Sequence, residues 1–103
     1  MLLEKPRSFP CVMVFKLSTG EEIIANVTED KSATYLIEKP LQMAMGQQGP
    51  QFAPFIMMGD MDKAMPLNKA LLVAWTDANP KIEEQYRTVT STIALPKKQS
   101  IIV

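Results

Sequence analysis

Hydrophobic and polar residues alternate along several short stretches of this chain, a pattern typical of β-strands. In residues 22–28, Ile23, Ala25 and Val27 share one side, which predicts a strand with one buried face. Residues 11–17, CVMVFKL, are apolar in both phases, which predicts a strand buried on both faces. Ser18, Thr19 and Gly20 lie between these two strands and predict a tight turn, because glycine tolerates positive φ.

The pattern predicts three further strands. They are a third over about 35–45 with a bend near Lys39–Pro40, a fourth over about 52–58 and a fifth over 69–75. Two loops separate them, GQQGPQ at residues 46–51 and DMDKAMPLN at residues 60–68. Five short strands at this spacing predict a small, strongly bent barrel.

A helix is predicted after the last strand. Asn79 can cap a helix, and Pro80 suits its first position, where an N–H is not needed. Glu83 can pair with Arg87 one turn later. An apolar stripe predicts that the helix docks on another part of the chain, and the residues of the stripe are Ile82, Tyr86, Val89 and Ile93. We therefore predict one all-β domain over residues 1–103, with an extended arm (1–10), a five-stranded barrel (11–75), a C-terminal helix (79–93) and a tail (94–103).

The composition limits the function classes. Eleven basic residues balance eleven acidic ones, so any nucleic-acid site is local and small. A single cysteine, Cys11, fits a reducing compartment, and we predict a cytoplasmic protein. No apolar run approaches the roughly 18 residues of a membrane span, so no membrane contact is predicted.

The residue types also disfavour an enzyme. The chain has no histidine, which removes the commonest general base, the serine triad and most zinc sites. Cys11 has no evident base partner and is predicted to be a small buried hydrophobe. Asp60 and Asp62 provide too few ligands for a calcium site, so a solvated loop is predicted there. We predict no catalytic residue, no metal and no cofactor.

One spaced pattern within the first hairpin is similar to a known motif. The pattern LxxGxxIxAxVxxD is formed by Leu17, Gly20, Ile23, Ala25, Val27 and Asp30. The segment from Val12 to Ile37 resembles the first motif of Sm and Sm-like proteins. The second motif of that family ends a strand with an apolar residue, arginine and glycine, and Met58–Gly59 stands at the comparable place. The resemblance covers residues 11–75, and the chain looks most like the small Sm-like proteins that phages encode. If a phage encodes it, the predicted cytoplasmic location is the cytoplasm of the host.

The resemblance implies a five-stranded barrel that assembles edge to edge, strand four of one subunit to strand five of the next, into a homo-oligomeric ring. It also implies single-stranded RNA at the inner rim, held by stacking and polar contacts. Carried over by position, the rim comprises Asp30, Lys31, Ser32, Ala33, Thr34, Met58 and Gly59. Thr34 stands where the family has asparagine, and Met58 stands where it has arginine, whose planar fork contacts phosphates and bases.

Two hypotheses follow. The first is a non-enzymatic ring that binds single-stranded RNA through Asp30, Lys31, Thr34, Met58 and Gly59. The alternative is a structural or protein-interaction scaffold ring that has lost the RNA site, with an unknown protein partner. Its basis is the missing arginine and asparagine and the zero net charge. The methionines clustered within residues 43–65 suit a core, a subunit interface or an adaptable docking surface.

Overall fold

The computed structural model describes residues 8–100, with side chains for residues 8–91. Most of the predicted arm, and the last three residues of the predicted tail, lie outside this range. The elements in chain order are β1 (Cys11–Leu17), β2 (Glu22–Asp30), β3 (Thr34–Gly46), β4 (Gly49–Pro54), β5 (Met65–Asn68), a 3-10 turn (Lys69–Leu71), β6 (Leu72–Asp77) and α1 (Pro80–Ser100).

The strands form one bent, open, antiparallel sheet in the order β4-β3-β2-β1-β6. β5 pairs with the first part of β3, on the same edge that pairs with β4 further along. The all-β class with a C-terminal helix is therefore confirmed. The sheet keeps two outer edges, the free side of β6 and the free side of β4 and β5.

The predicted fourth strand, residues 52–58, is wrong in its bounds. β4 begins at Gly49, because the Gly46–Gly49 pair closes a tight hairpin in which Gly49 has a φ of 111°. Residues 55–59 bend away from the ladder. The predicted loop 60–68 instead contains β5, so the sheet has six strands rather than five.

A kink in β3 separates the two pairing regions. Lys39 has a φ of 52°, and Pro40 follows it, so the register with β2 shifts by one residue at this point. Ile37 therefore points into one side of the sheet, and Leu41 packs on the other. Ile37 and Leu41 are four positions apart, so regular alternation would place them on one face, but a bulge between them inverts every later side chain.

Two apolar clusters result, one on each face of the sheet. The inner cluster comprises Met13, Phe15, Leu17, Ile23, Ala25, Val27, Tyr35, Ile37 and Leu67. The outer cluster comprises Val12, Ile24, Leu41, Ala78 and Tyr86, with Val14, Phe52, Met61, Ile82 and Val89 partly buried against it. β1 supplies both clusters by alternation, which explains why it is apolar in both phases. Cys11 is half-buried against the inner cluster.

α1 begins as predicted. The Asn79 side-chain oxygen accepts the N–H of Lys81 at 2.9 Å, and Arg87 donates to the Glu83 carboxylate at 2.7 Å. Ile82, Tyr86 and Val89 pack on the outer face of the sheet, which is thus the surface on which the predicted stripe docks; the side chain of Ile93 lies outside the described residues. The predicted end at Ile93 is wrong, since the helix continues to Ser100. Pro96 removes one backbone hydrogen bond, but the Lys97, Lys98 and Gln99 that follow have good helix propensity.

No helix within residues 8–100 is long and apolar enough to cross a lipid bilayer.

Candidate nucleic-acid interface

The candidate site is built around the turn between β2 and β3. Asp30 ends β2, and Thr34 begins β3. The Lys31 N–H donates to the Thr34 carbonyl at 2.8 Å, which closes the turn. Asp30, Lys31, Ser32 and Ala33 are exposed, and Thr34 is half-buried. Four consecutive residues of the predicted rim are thus exposed between the end of β2 and the start of β3.

The corner between β5 and β6 lies against this turn. Thr34 pairs with Asn68 at the end of the β3–β5 ladder, and the Lys69 N–H donates to the Ala33 carbonyl at 3.0 Å. The Asn68 side chain caps the 3-10 turn by accepting the Ala70 N–H at 2.9 Å. These contacts fix the main chain at Lys69 beside the turn between β2 and β3.

Lys69 is the centre of the site. Its ammonium donates to the Asp30 carboxylate and to the Lys31 carbonyl, both at 2.5 Å. The same nitrogen lies 4.5 Å from the ring centroid of Tyr35, within the range of a cation–π contact. Tyr35 is buried and stacks at a tilt on Phe15, with 5.3 Å between ring centroids. The cation is therefore held on a rigid aromatic platform.

Sequence reasoning missed Lys69. It counted this residue as the first of a strand over 69–75, whereas residues 69–71 form the 3-10 turn. A signal was present, because the polar pair Asn68–Lys69 stands between the apolar Leu67 and the apolar run from Ala70 to Trp75. That arrangement is typical of a corner between two strands. The motif match instead directed the prediction to Met58–Gly59, which lie in the bent segment 55–59.

Met58 and Gly59 lie in the bent segment 55–59, and Met58 is 98% exposed. Pairing of β4 with β3 ends at Leu41, and pairing of β5 with β3 begins at Ile37. The base of the loop between β4 and β5 therefore faces residues 38–40 of β3. Residues 38–40 are about 13–20 Å along the strand from Thr34. The structure thus brings Asp30, Lys31 and Thr34 together, and Lys69 rather than Met58 completes the group.

The charges of this group balance. Glu29 lies 3.9 Å from Lys31, and Asp30 pairs with Lys69, so two carboxylates face two ammonium groups. Lys69 has three N–H donors, of which two are used within the chain. One donor remains for a ligand, and the field at the turn is weak.

The described residues offer little to a metal. Within the part of the chain that the structure describes, no three His, Cys, Asp or Glu side chains converge on one point. The Asp60 side chain accepts the Asp62 N–H at 3.0 Å, and both residues are exposed.

Models of known protein families and curated proteins were compared with the chain, and none matches it.

Proposed function

We propose that this protein is a non-enzymatic Sm-like protein that forms a homo-oligomeric ring and binds single-stranded RNA at the inner rim of that ring. The observation that carries the proposal is the convergence of Asp30, Lys31 and Thr34 with Lys69 and Tyr35 at one corner of a bent, open β-sheet.

The two edges of the sheet support assembly. On β6, Val73 is 65% exposed and Trp75 is 50% exposed, although both are large and apolar. Exposed apolar edge strands are prone to uncontrolled pairing. A head-to-tail ring pairs the β6 edge of each subunit with the β4–β5 edge of the next, so that no edge remains.

The Lys69 corner supports RNA binding. A cation fixed over an aromatic ring suits the stacking and phosphate contacts by which single strands are bound. Ring assembly repeats this corner once per subunit around a common axis. The one remaining N–H donor of each Lys69 ammonium thereby becomes part of a ring of donors. Lys69 takes the role that the family gives to arginine, without the bidentate fork.

The test combines native mass spectrometry with oligonucleotide binding. The wild-type protein is expected to form a discrete oligomer and to bind U-rich or A-rich oligonucleotides more tightly as salt is lowered. Lys69→Met should weaken binding about tenfold, because it removes the donor and leaves Asp30 unpaired. Lys81→Met is the matched control, since it removes an exposed lysine at the start of α1. Equal affinity for the two variants contradicts the assignment of the rim.

A second candidate function is a scaffold ring, and one observation favours it. Met57 and Met58 are 79% and 98% exposed, where the family motif places the arginine. Flexible exposed methionines suit an adaptable protein-binding surface. This candidate expects no salt-dependent oligonucleotide binding, and it expects a protein partner that wild type retains and the Met57→Ser, Met58→Ser double variant releases. A pull-down that returns only nucleic acid contradicts it.

A further inference from the structure

A polar cavity lies between the kink of β3 and the side of α1, away from the candidate rim. Its volume is about 270 Å³, which is below the roughly 300–1,000 Å³ of sites for drug-sized ligands, so its ligand is small. Two of its described lining residues are charged, Lys39 on β3 and Arg87 on α1, and both are cations. The charge of the lining therefore favours an anion.

The main chain at Lys39 is fixed on both sides. Its N–H donates to the Met61 carbonyl at 2.9 Å, and its own carbonyl accepts the Tyr86 hydroxyl at 2.7 Å. Its φ of 52° lies in the left-handed region, which glycine or asparagine adopts at a lower cost, so the kink itself does not require a lysine. Within the part of the chain that the structure describes, the Lys39 ammonium forms no hydrogen bond or ion pair. It is therefore free to bind a ligand.

Arg87 also keeps donors for a ligand. Its Nε and Nη2 donate to the Glu83 carboxylate at 3.0 and 2.7 Å, and three of its five N–H groups remain. A second carboxylate, Glu38, accepts the side-chain N–H of Asn26 at 3.4 Å. Neither Glu83 nor Glu38 is among the described lining residues. Both carboxylates thus have partners of their own outside the cavity wall.

The groups that face the cavity are donors rather than acceptors. The hydroxyls of Tyr86 and Thr90 already donate to main-chain carbonyls, which leaves the N–H groups of Lys39, Arg87 and Asn26 for a ligand. Ammonium and guanidinium donors that approach from two elements suit the several oxygens of a phosphate group. We propose that this cavity binds a phosphate group, either as inorganic phosphate or as a small phosphate monoester, between Lys39 and Arg87. The proposal requires neither the ring nor the RNA rim.

A phosphate bound here connects β3 to α1. Undocking of α1 would separate Arg87 from Lys39 and lose the ligand, so the ligand stabilises the docked helix by mass action. Glu83 and Glu38 offset the two positive charges at longer range, so we expect binding in the millimolar range. The ligand thereby strengthens the attachment of the element that Tyr86 holds to the outer face of the sheet.

The first test measures binding by NMR titration at constant ionic strength, with chloride replaced by inorganic phosphate. Lys39→Asn keeps a residue that accepts positive φ and removes the cation, and it should weaken binding about tenfold, as should Arg87→Gln. Lys39→Arg should retain binding. Lys81→Gln is the matched control for Arg87→Gln, because Lys81 is an exposed cation of α1 outside the cavity lining, and it should change the affinity less than about twofold. Circular dichroism verifies that each variant folds.

A pair of nucleosides tests the chemical class. Adenosine 5′-monophosphate and adenosine differ only by the phosphate group, and the monophosphate should shift the resonances of Lys39 and Arg87 while adenosine leaves them unchanged. Equal shifts by the two compounds overturn the assignment of the cavity to phosphate.

The second test measures native-state hydrogen exchange of α1. At a phosphate concentration about ten times Kd, exchange in α1 should slow about tenfold in wild type and remain unchanged in Lys39→Asn. Binding that leaves exchange in α1 unchanged overturns the connection between β3 and α1.

The remaining outcomes also overturn the proposal. Phosphate binding that is equal in wild type, Lys39→Asn, Arg87→Gln and Lys81→Gln indicates an adventitious ion only. A wild-type protein that shows no shift at tens of millimolar phosphate has no such site. Both results leave the ring and the RNA rim untouched, so failure of this proposal is distinguishable from failure of the proposed function.

Discussion

The inner and the outer face of the sheet are covered by different kinds of structure. All nine buried residues of the inner face lie in strands, which bend around Phe15 and Met13, both fully buried, and only Phe55 packs against them from outside a strand. The outer face has three buried strand residues, Val12, Ile24 and Leu41, which Ala78 and Tyr86 cover. The inner core closes by the curvature of the strands, whereas the outer core exists only where α1 is docked.

Because of this difference, we expect the loss of an inner side chain to destabilise the whole domain and the loss of an outer side chain to destabilise mainly α1. Removal of an inner side chain disturbs β1, β2, β3 and β5 together, so the whole sheet is affected. The outer face depends on one helix held largely by Tyr86, which is 2% exposed. Its hydroxyl donates to the Lys39 carbonyl at 2.7 Å and accepts the Asn26 N–H at 3.1 Å. Segments held by few contacts open separately from the rest of a domain.

The largest effect is expected at Phe15. Phe15→Ala should lower the free energy of unfolding by about 3–5 kcal/mol, because it removes a fully buried ring and leaves a cavity under the bend. Chemical denaturation followed by circular dichroism measures this change. Lys16→Ala, on the same strand and exposed, is the control and should change it by less than about 0.5 kcal/mol. A loss below about 1 kcal/mol for Phe15→Ala contradicts the central role of the inner core.

A smaller and more local effect is expected at Tyr86. Tyr86→Ala should cost roughly 3 kcal/mol, since it removes the ring and leaves the Asn26 N–H and the Lys39 carbonyl without this partner. Native-state hydrogen exchange should show faster exchange in α1 than in β1 and β2. If all elements lose protection equally, the two faces are one cooperative unit and the comparison fails.

The smallest effect concerns alkaline pH. Burial raises the pKa of Tyr86 above its ordinary value of 10.0, because the phenolate would lose its hydration. The unfolded chain releases this proton above pH 10.0 while the folded chain retains it, so the stabilisation is complete below pH 10.0 and declines as the pH rises further. Wild type should therefore lose about 1 kcal/mol more than Tyr86→Phe between pH 9 and pH 11, in parallel denaturation curves. Identical slopes for the two proteins indicate that the hydroxyl is not buried in solution.

Much of the fold could be predicted from local pattern. A continuous apolar run located β1, and alternation located β2; the turn at Gly20 has the expected positive φ of 110°, and Asn79–Pro80 marks the start of α1. These features depend on residues close in sequence. The strand at residues 65–68 could not be predicted in this way, because MPLN has no alternation of its own and becomes a strand only by pairing with β3.

The candidate site shows the same division. Asp30, Lys31 and Thr34 are neighbours in sequence, and the motif indicated them together. Lys69 follows Asp30 by 39 positions, and no local pattern joins the two. The motif match at Met58 pointed to the loop between β4 and β5, and the base of this loop lies opposite the kink at Lys39. Spacing along the sequence carries no information about where the pairing of β3 changes from β5 to β4.

The sequence by itself determined that this chain forms a small all-β domain with two apolar faces and a C-terminal helix, because strand alternation and helix capping act over a few residues. The tertiary structure decided which residues share a face beyond Lys39, since one bulge inverts the register of everything after it. It also decided that a lysine from the β5–β6 corner, held against Asp30 and Tyr35, completes the candidate rim. Contacts between distant segments depend on how the sheet bends, and a linear pattern does not carry that geometry.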